Sequence, residues 1–99
     1  MAKRKLTIQI LPTAKADLKD IYQYIAKDSV KYARIEQQLI IQAIENLYNY
    51  PDLGTSFTYK YIEVKKLSFR NYLIIYRFKT EHLIEVLTIH HHSRSLPTT

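Results

Sequence analysis

Three consecutive histidines near the end of the chain, His90, His91 and His92, carry the clearest chemical potential, and Arg94 follows them closely. An unperturbed imidazole titrates at about pH 6.5, so His91 or His92 could act as a general acid or base. If the segment is a strand, His90 and His92 share one face and could chelate a metal. Because the chain has no cysteine and no carboxylate near the triplet, we expect no metal site. The structural alternative is a run of polar residues where a last strand leaves its sheet.

The second chemically distinctive group is a set of cations in the C-terminal half of the chain: Lys65, Lys66, Arg70, Arg77 and Arg94. They could cluster at one edge or end of a sheet and face phosphate or an acidic polypeptide. The alternative is a solvated polar face. Among the nine tyrosines, Tyr59 or Tyr61 could stack on bases, although rings at the rim of a core are the preferred interpretation.

The composition supports an anionic partner. Lysine and arginine total 15 against 9 acidic residues, a formal charge of +6, which suits RNA, DNA or an acidic polypeptide. Solubility alone is the competing explanation. With no cysteine and no apolar run long enough for a signal peptide or a membrane span, we expect a cytoplasmic protein without disulfides, and we expect no cofactor.

The elements that must position these residues begin with a strand and two helices. Alternation of Leu6, Ile8 and Ile10 predicts a strand that Pro12 ends. Thr13 is the predicted N-cap of a first helix, with Asp17 and Asp20 complementing its dipole. Its apolar stripe comprises Ala14, Leu18, Ile21, Tyr22 and Ile25.

A cap at Asp28 or Ser29 predicts a second helix, and the short link between the helices predicts an antiparallel hairpin. Pro51 should stop this helix, and residues 49–54 should form a loop. The predicted apolar stripe of the second helix comprises Tyr32, Ile35, Leu39, Ile40, Ala43, Ile44 and Leu47.

From Tyr61 onward the pattern predicts strands, with Tyr72–Phe78 buried on both faces. The predicted fold is therefore α+β: an N-terminal strand, a two-helix hairpin, then three to four antiparallel strands, with both helices on one sheet face. Residues 6–94 should form a single domain, and residues 95–99 should be a disordered tail.

Five segments of the chain form a recognisable series. They are Ala14, Asp17, Leu18, Ile21, Tyr24 and Ile25 of the first predicted helix, then Tyr50–Gly54, Val64–Phe69, Tyr72–Arg77 and Ile89–Arg94. In this order they resemble the RelE/ParE superfamily of toxins from type II toxin–antitoxin systems, which includes plasmid stabilization proteins. The resemblance extends from Leu6 to Arg94.

The resemblance implies a growth-arresting toxin that a cognate antitoxin neutralises in an oligomeric complex. One branch cleaves messenger RNA on the ribosome, and its members have an arginine where this chain has Leu73. Leu73, the Tyr76-Arg77 pair and the spacing of His91 and Arg94 resemble the ParE branch, which poisons DNA gyrase. We therefore expect a binding toxin. One alternative is an endoribonuclease that uses His91 or His92 with Arg70, Arg77 and Arg94; the other is an inactive member that acts only in repression.

Overall fold

The computed structural model describes residues 5–92 of the chain. A first strand, β1 (Thr7–Ile10), leads into two helices, α1 (Pro12–Ala26) and α2 (Val30–Glu45), and a 3-10 turn at Asn46–Tyr48. Four further strands follow: β2 (Thr55–Tyr59), β3 (Ile62–Phe69), β4 (Tyr72–Thr80) and β5 (Leu83–His91). This order confirms the predicted α+β class.

All five strands form one mixed sheet in the order β1-β5-β4-β3-β2. The strands after the helices pair antiparallel, whereas β1 pairs parallel with the first half of β5. The central strand is β4, and its residues Ile74, Ile75 and Tyr76 are all 0% exposed. The prediction that this strand is buried on both faces is therefore confirmed.

The starts of the two helices differ in how well the sequence predicted them. Helix α1 begins at Pro12 with Leu11 as its N-cap, so the prediction that Thr13 caps it is wrong. Proline suits the first helical position because its missing N–H would be unpaired there anyway. Since the first turn of α1 contains no acidic residue, Asp17 and Asp20 are too far along to have the predicted dipole role. At α2, Ser29 is the N-cap, as predicted, and accepts a hydrogen bond from the backbone N–H of Tyr32 at 3.1 Å.

Helix α2 has two neighbouring apolar rows, and the sheet covers one of them. Ala33, Ile40 and Ile44 lie on the buried row, which Leu47 continues beyond the helix. The other row is less covered: Leu39 is half-buried, and Tyr32 and Ile35 are 65% and 43% exposed. The predicted stripe was therefore too wide, because periodicity alone cannot show where the sheet ends. Neither helix in residues 5–92 is long and apolar enough to cross a membrane.

The two faces of the sheet carry separate apolar clusters. The larger lies between the sheet and the helices and includes Leu18, Ile40, Ile74 and Val86. The smaller, on the opposite face, consists of Tyr59, Val64 and Ile75, with Phe57 and Leu87 packed against them. We call this second surface the open sheet face. No helix of the described chain covers it, so its own side chains shield Ile75.

A buried tyrosine holds the loop between α2 and β2. The hydroxyl of Tyr76 donates a hydrogen bond to the carbonyl of Pro51 and accepts one from the backbone N–H of Gly54, both at 2.9 Å. A Cβ at Gly54 would lie 2.9 Å from the Tyr76 ring and 3.0 Å from the carbonyl oxygen of Lys66. Glycine is required here because the backbone approaches both groups so closely.

Candidate functional site

One candidate site is a cleft of about 490 Å³ between the two helices and the adjoining ends of β4 and β5. Helix α1 contributes Asp17, Asp20 and Tyr24, and α2 contributes Glu36. The turn between β3 and β4 contributes Arg70, and the end of β5 contributes His91. Isoleucines line its apolar part, so the cleft combines carboxylates, rings and an aliphatic surface. We call it the helix–sheet cleft.

Arg70 and Glu36 form an ion pair inside this cleft. The Arg70 Nε donates to Glu36 Oε1 at 2.8 Å, and the Glu36 side chain is 15% exposed against 52% for Arg70. The hydrogen bond to Glu36 and the charge of that carboxylate raise the pKa of Arg70 above its ordinary value. The guanidinium is therefore matched by an acid of the same chain, which reduces its attraction for a phosphate.

His91 packs against a tyrosine with an altered acidity. Its ring meets the Tyr72 ring edge-on, with 5.5 Å between the ring centroids. Burial raises the pKa of Tyr72, the charge of Glu36 raises it further, and Arg70 opposes both. Tyr72 therefore stays protonated near neutral pH and can donate a hydrogen bond but cannot act as a base.

The neighbouring histidines have different surroundings. His90 pairs with Leu73 across the ladder, and its Nε2 lies 3.4 Å from the Thr88 hydroxyl. His92 is exposed, and its backbone N–H donates to the carbonyl of Asn71 at 2.7 Å. The three imidazoles therefore do not converge, and no group of three potential ligands in residues 5–92 could hold a metal ion.

Asp17 has a role in this cleft that the sequence did not indicate. Its Oδ2 accepts hydrogen bonds from the Thr88 hydroxyl at 2.6 Å and from the Ile89 backbone N–H at 2.9 Å. Strand β1 pairs with β5 only as far as Val86, so the carboxylate supplies an acceptor where the neighbouring strand has ended. No sequence signal marks this contact, because it joins residues 72 positions apart.

The charges of the helix–sheet cleft favour a cation over an anion. Three of its lining residues are carboxylates, Asp17, Asp20 and Glu36, whereas Arg70 is the guanidinium among them. A polyanionic backbone entering the cleft would meet like charges, and an apolar lining strengthens such repulsion. The cleft is thus a poor match for RNA despite the presence of His91.

Other predicted cations lie on the open sheet face. The ammonium of Lys66 lies 5.3 Å from the centre of the Phe57 ring. Arg77 donates to Glu85 at 3.0 Å, and Lys79 lies 4.0 Å from the same carboxylate. Glu85 is only 6% exposed, and no signal in the sequence marked it as a partner of Arg77. Its burial is balanced by two cations, as a buried charge requires.

The structure does not bring the predicted site residues into one cluster. Strand alternation places Arg77 beside Ile75 on the open sheet face, while His91 lies against Tyr72 on the helix side. Arg77 and His91 are also separated along the strands by five residues, about 17 Å.

The remaining predicted cations are dispersed as well. Lys65 lies next to Lys66 in sequence, so it points to the other face, where it approaches Asp52 at 4.0 Å and Ser56 at 3.3 Å. Arg94 and the expected tail at residues 95–99 lie outside the described residues.

Two solved structures have a similar fold. A chain from the chromosomal ParDE toxin–antitoxin system of P. aeruginosa superposes with a TM-score of 0.74 at 21% identity, over 89% of this chain and 97% of that one. A chain of the RelBE2 toxin–antitoxin complex from Mycobacterium tuberculosis gives a TM-score of 0.58 at 20% identity, over 88% and 98%. At these identities the likeness shows the fold alone.

A search of curated protein sequences finds no significant match. Residues 8–96, nearly the whole chain, match the profile of a family described as the ParE toxin of type II toxin–antitoxin system, parDE. The match covers both helices and all five strands except the first residue of β1. The chain belongs to the ParE toxin family.

Proposed function

We propose that the protein arrests growth by binding DNA gyrase, that it does not cut RNA, and that a cognate antitoxin neutralises it. The observation that carries this proposal is the position of Arg77 and His91 on opposite faces of the sheet. In general acid–base cleavage of RNA, one side chain transfers a proton and a cation stabilises the phosphate. Both must contact the same phosphate group of the substrate. These two residues cannot meet that requirement together.

Leu73 supports the same conclusion. It lies between Ser68 of β3 and His90 of β5, where the ribosome-dependent relatives that the sequence resembles have an arginine. Loss of one preorganised charge-stabilising group lowers a rate by about 10²- to 10³-fold. His90 therefore has an aliphatic cross-strand neighbour in place of a cation.

The family and the similar solved structures support a cognate antitoxin as the partner. Both solved structures described above come from toxin–antitoxin systems. A chain with a formal charge of +6, whose open sheet face bears Lys66, is suited to an acidic polypeptide. The complex is expected to be oligomeric.

An endoribonuclease remains the second candidate, because Arg70 and His91 do line one cleft. Its weakness is the charge of that cleft and the ion pair that engages Arg70. The two candidates differ in which substitution abolishes toxicity, since only the ribonuclease needs the imidazole of His91.

The deciding experiment is induction of the protein in bacteria with timed readouts. We expect DNA-damage signalling and filamentation before translation stops, and inhibition of supercoiling by purified gyrase. His91→Ala should remain toxic, whereas Arg94→Ala should be less toxic, because a binding toxin depends on its contact surface. Prompt cuts within codons of messages, abolished by His91→Ala, would instead establish the endoribonuclease.

A further inference from the structure

The turn between β2 and β3 has an unfavourable backbone. Tyr59 pairs with Ile62, so Lys60 and Tyr61 form a two-residue hairpin loop. Their φ angles are +49° and +66°, the combination found in a type I′ turn. Such turns strongly prefer Asn-Gly or Asp-Gly, because a side chain with a Cβ is strained in the left-handed region. Two long side chains therefore occupy positions that disfavour them.

No contact within the described chain accounts for Tyr61 at this position. Its side chain is 91% exposed and makes no hydrogen bond or ring contact with residues 5–92. Lys60 places its ammonium 5.4 Å from the Tyr59 ring centre, a contact at the surface. By contrast, Arg70, which also has a positive φ of 54°, forms the 2.8 Å ion pair with Glu36. Strain without an internal contact points to a role outside the fold.

The surroundings of Tyr61 indicate the kind of partner. The next residue, Ile62, is 40% exposed, and Glu63 is exposed beside it. An aromatic ring flanked by an aliphatic side chain and both signs of charge is typical of a protein–protein contact. The tip has no net attraction for the phosphates of a nucleic acid, because Glu63 offsets the charge of Lys60.

We propose that the tip of the β2–β3 hairpin, residues 60–62, is the contact with the toxin's protein target. Tyr61 enters an apolar pocket of that protein, Lys60 meets an acidic group at the pocket rim, and Ile62 covers the adjacent surface. The proposal rests on the proposed function in requiring a protein target, but it does not require that the target be gyrase. The two-residue turn fixes the backbone of Tyr61 at the tip of the hairpin before binding, which lowers the backbone entropy lost on association.

The test replaces the strained pair with the pair that the turn prefers. The double variant K60N/Y61G should raise the melting temperature by about 4 to 8 °C, because the turn strain is relieved. The same variant should lose toxicity on induction, and about 30-fold more protein should be needed for half-inhibition of gyrase supercoiling, the loss typical of an aromatic hot spot. Tyr61→Phe should stay toxic because it retains the ring. Tyr50→Ala is the matched control, since Tyr50 is also exposed, at 61%, but lies far from the turn in sequence.

Each alternative outcome has a defined meaning. If K60N/Y61G is as toxic as the parent, the hairpin tip is not the target contact. If it stays toxic but no longer binds the antitoxin, the tip belongs to the antitoxin interface and the proposal is wrong. Weaker binding of single-stranded RNA by K60N/Y61G would reassign Tyr61 to base stacking. If the parent is toxic without inhibiting gyrase, the gyrase assignment fails, while the comparison of toxicity still tests the tip.

Discussion

The hydroxyl of Tyr76 joins the central strand to the loop that follows the helices. We expect Tyr76→Phe to lower the free energy of unfolding by about 1 to 3 kcal/mol, because the N–H of Gly54 and the carbonyl of Pro51 each lose their partner in a partly buried place. Urea unfolding measures the effect. Tyr48→Phe is the control, since Tyr48 is 48% exposed. Equal stability of the two variants would show that the loop does not depend on this contact.

The same tyrosine, with Tyr72, should make stability fall in alkaline solution. Burial is the main cause that raises the pKa of both phenols in the folded protein. In the unfolded chain these groups lose their protons at about pH 10. The folded state therefore holds more protons above that pH, and the free energy of unfolding decreases as pH rises through the folded pKa values. Tyr76→Phe should show a shallower decrease between about pH 9 and 11; identical pH profiles would contradict this assignment.

The contacts that could not be predicted from the sequence join residues that are far apart along the chain. Asp17 with Thr88 and Tyr76 with Pro51 and Gly54 join parts of the chain that only the complete fold brings together. Arg77 was expected in a cationic surface that faces phosphate or an acidic antitoxin, whereas Glu85 lies opposite it across the ladder. Residue type showed which groups could ionise, but their partners depend on strand register.

At the end of β5, a helix side chain takes the place of a neighbouring strand. Asp17→Ala should lower the free energy of unfolding by about 1.5 to 3 kcal/mol, the range for hydrogen bonds to a charged group, since it removes the acceptor for Thr88 and Ile89. Chemical denaturation provides the measurement. Asp20→Ala should be nearly neutral, because Asp20 is exposed on the same helix. If both variants lost a similar amount of unfolding free energy, the cause would be the removal of a negative charge and not the loss of these two hydrogen bonds.

The central strand and the second helix should respond differently to truncation of a side chain. Ile75 is 0% exposed, so Ile75→Ala should lower the free energy of unfolding by about 2 to 5 kcal/mol. Leu39 lies on the less covered row of α2, so Leu39→Ala should have the smaller effect. Urea unfolding of both variants measures the two effects, and the midpoint should fall further for Ile75→Ala. A larger loss at Leu39 would mean that α2 presents a different face to the sheet.

Most elements could be predicted from the sequence, and the exceptions have physical causes. Alternation and burial patterns indicated β1, β3, β4 and β5, but β2 was not identified separately because Lys60 and Tyr61 carry none of the residue types that mark a hairpin turn. The parallel pairing of β1 with β5 was also missed. Periodicity shows which face of a strand is buried but not which strand lies beside it.

The sheet divides the molecule into two surfaces of different chemistry. The helix–sheet cleft is rich in carboxylates, and the open sheet face carries cations around an apolar cluster. The endoribonuclease alternative placed residues of both surfaces in one site, since the sequence could not show that Arg77 and His91 lie on opposite faces. The separation favours binding over catalysis as the basis of toxicity.

The open sheet face also makes the stability of the protein depend on its partner. Phe57 and Leu87 are half-buried there, and no described helix covers them, so an antitoxin segment on this face would remove apolar surface from water. A ligand that binds only the folded state adds about 2.7 kcal/mol at one hundred times its Kd. For a domain of this size, the melting temperature should therefore rise by at least about 10 °C in the complex. Thermal scans with and without the co-expressed antitoxin measure the shift, and an unrelated acidic protein at equal concentration controls for charge. A bound antitoxin that leaves the melting temperature unchanged would contradict this prediction, because a ligand that binds only the folded state must raise it.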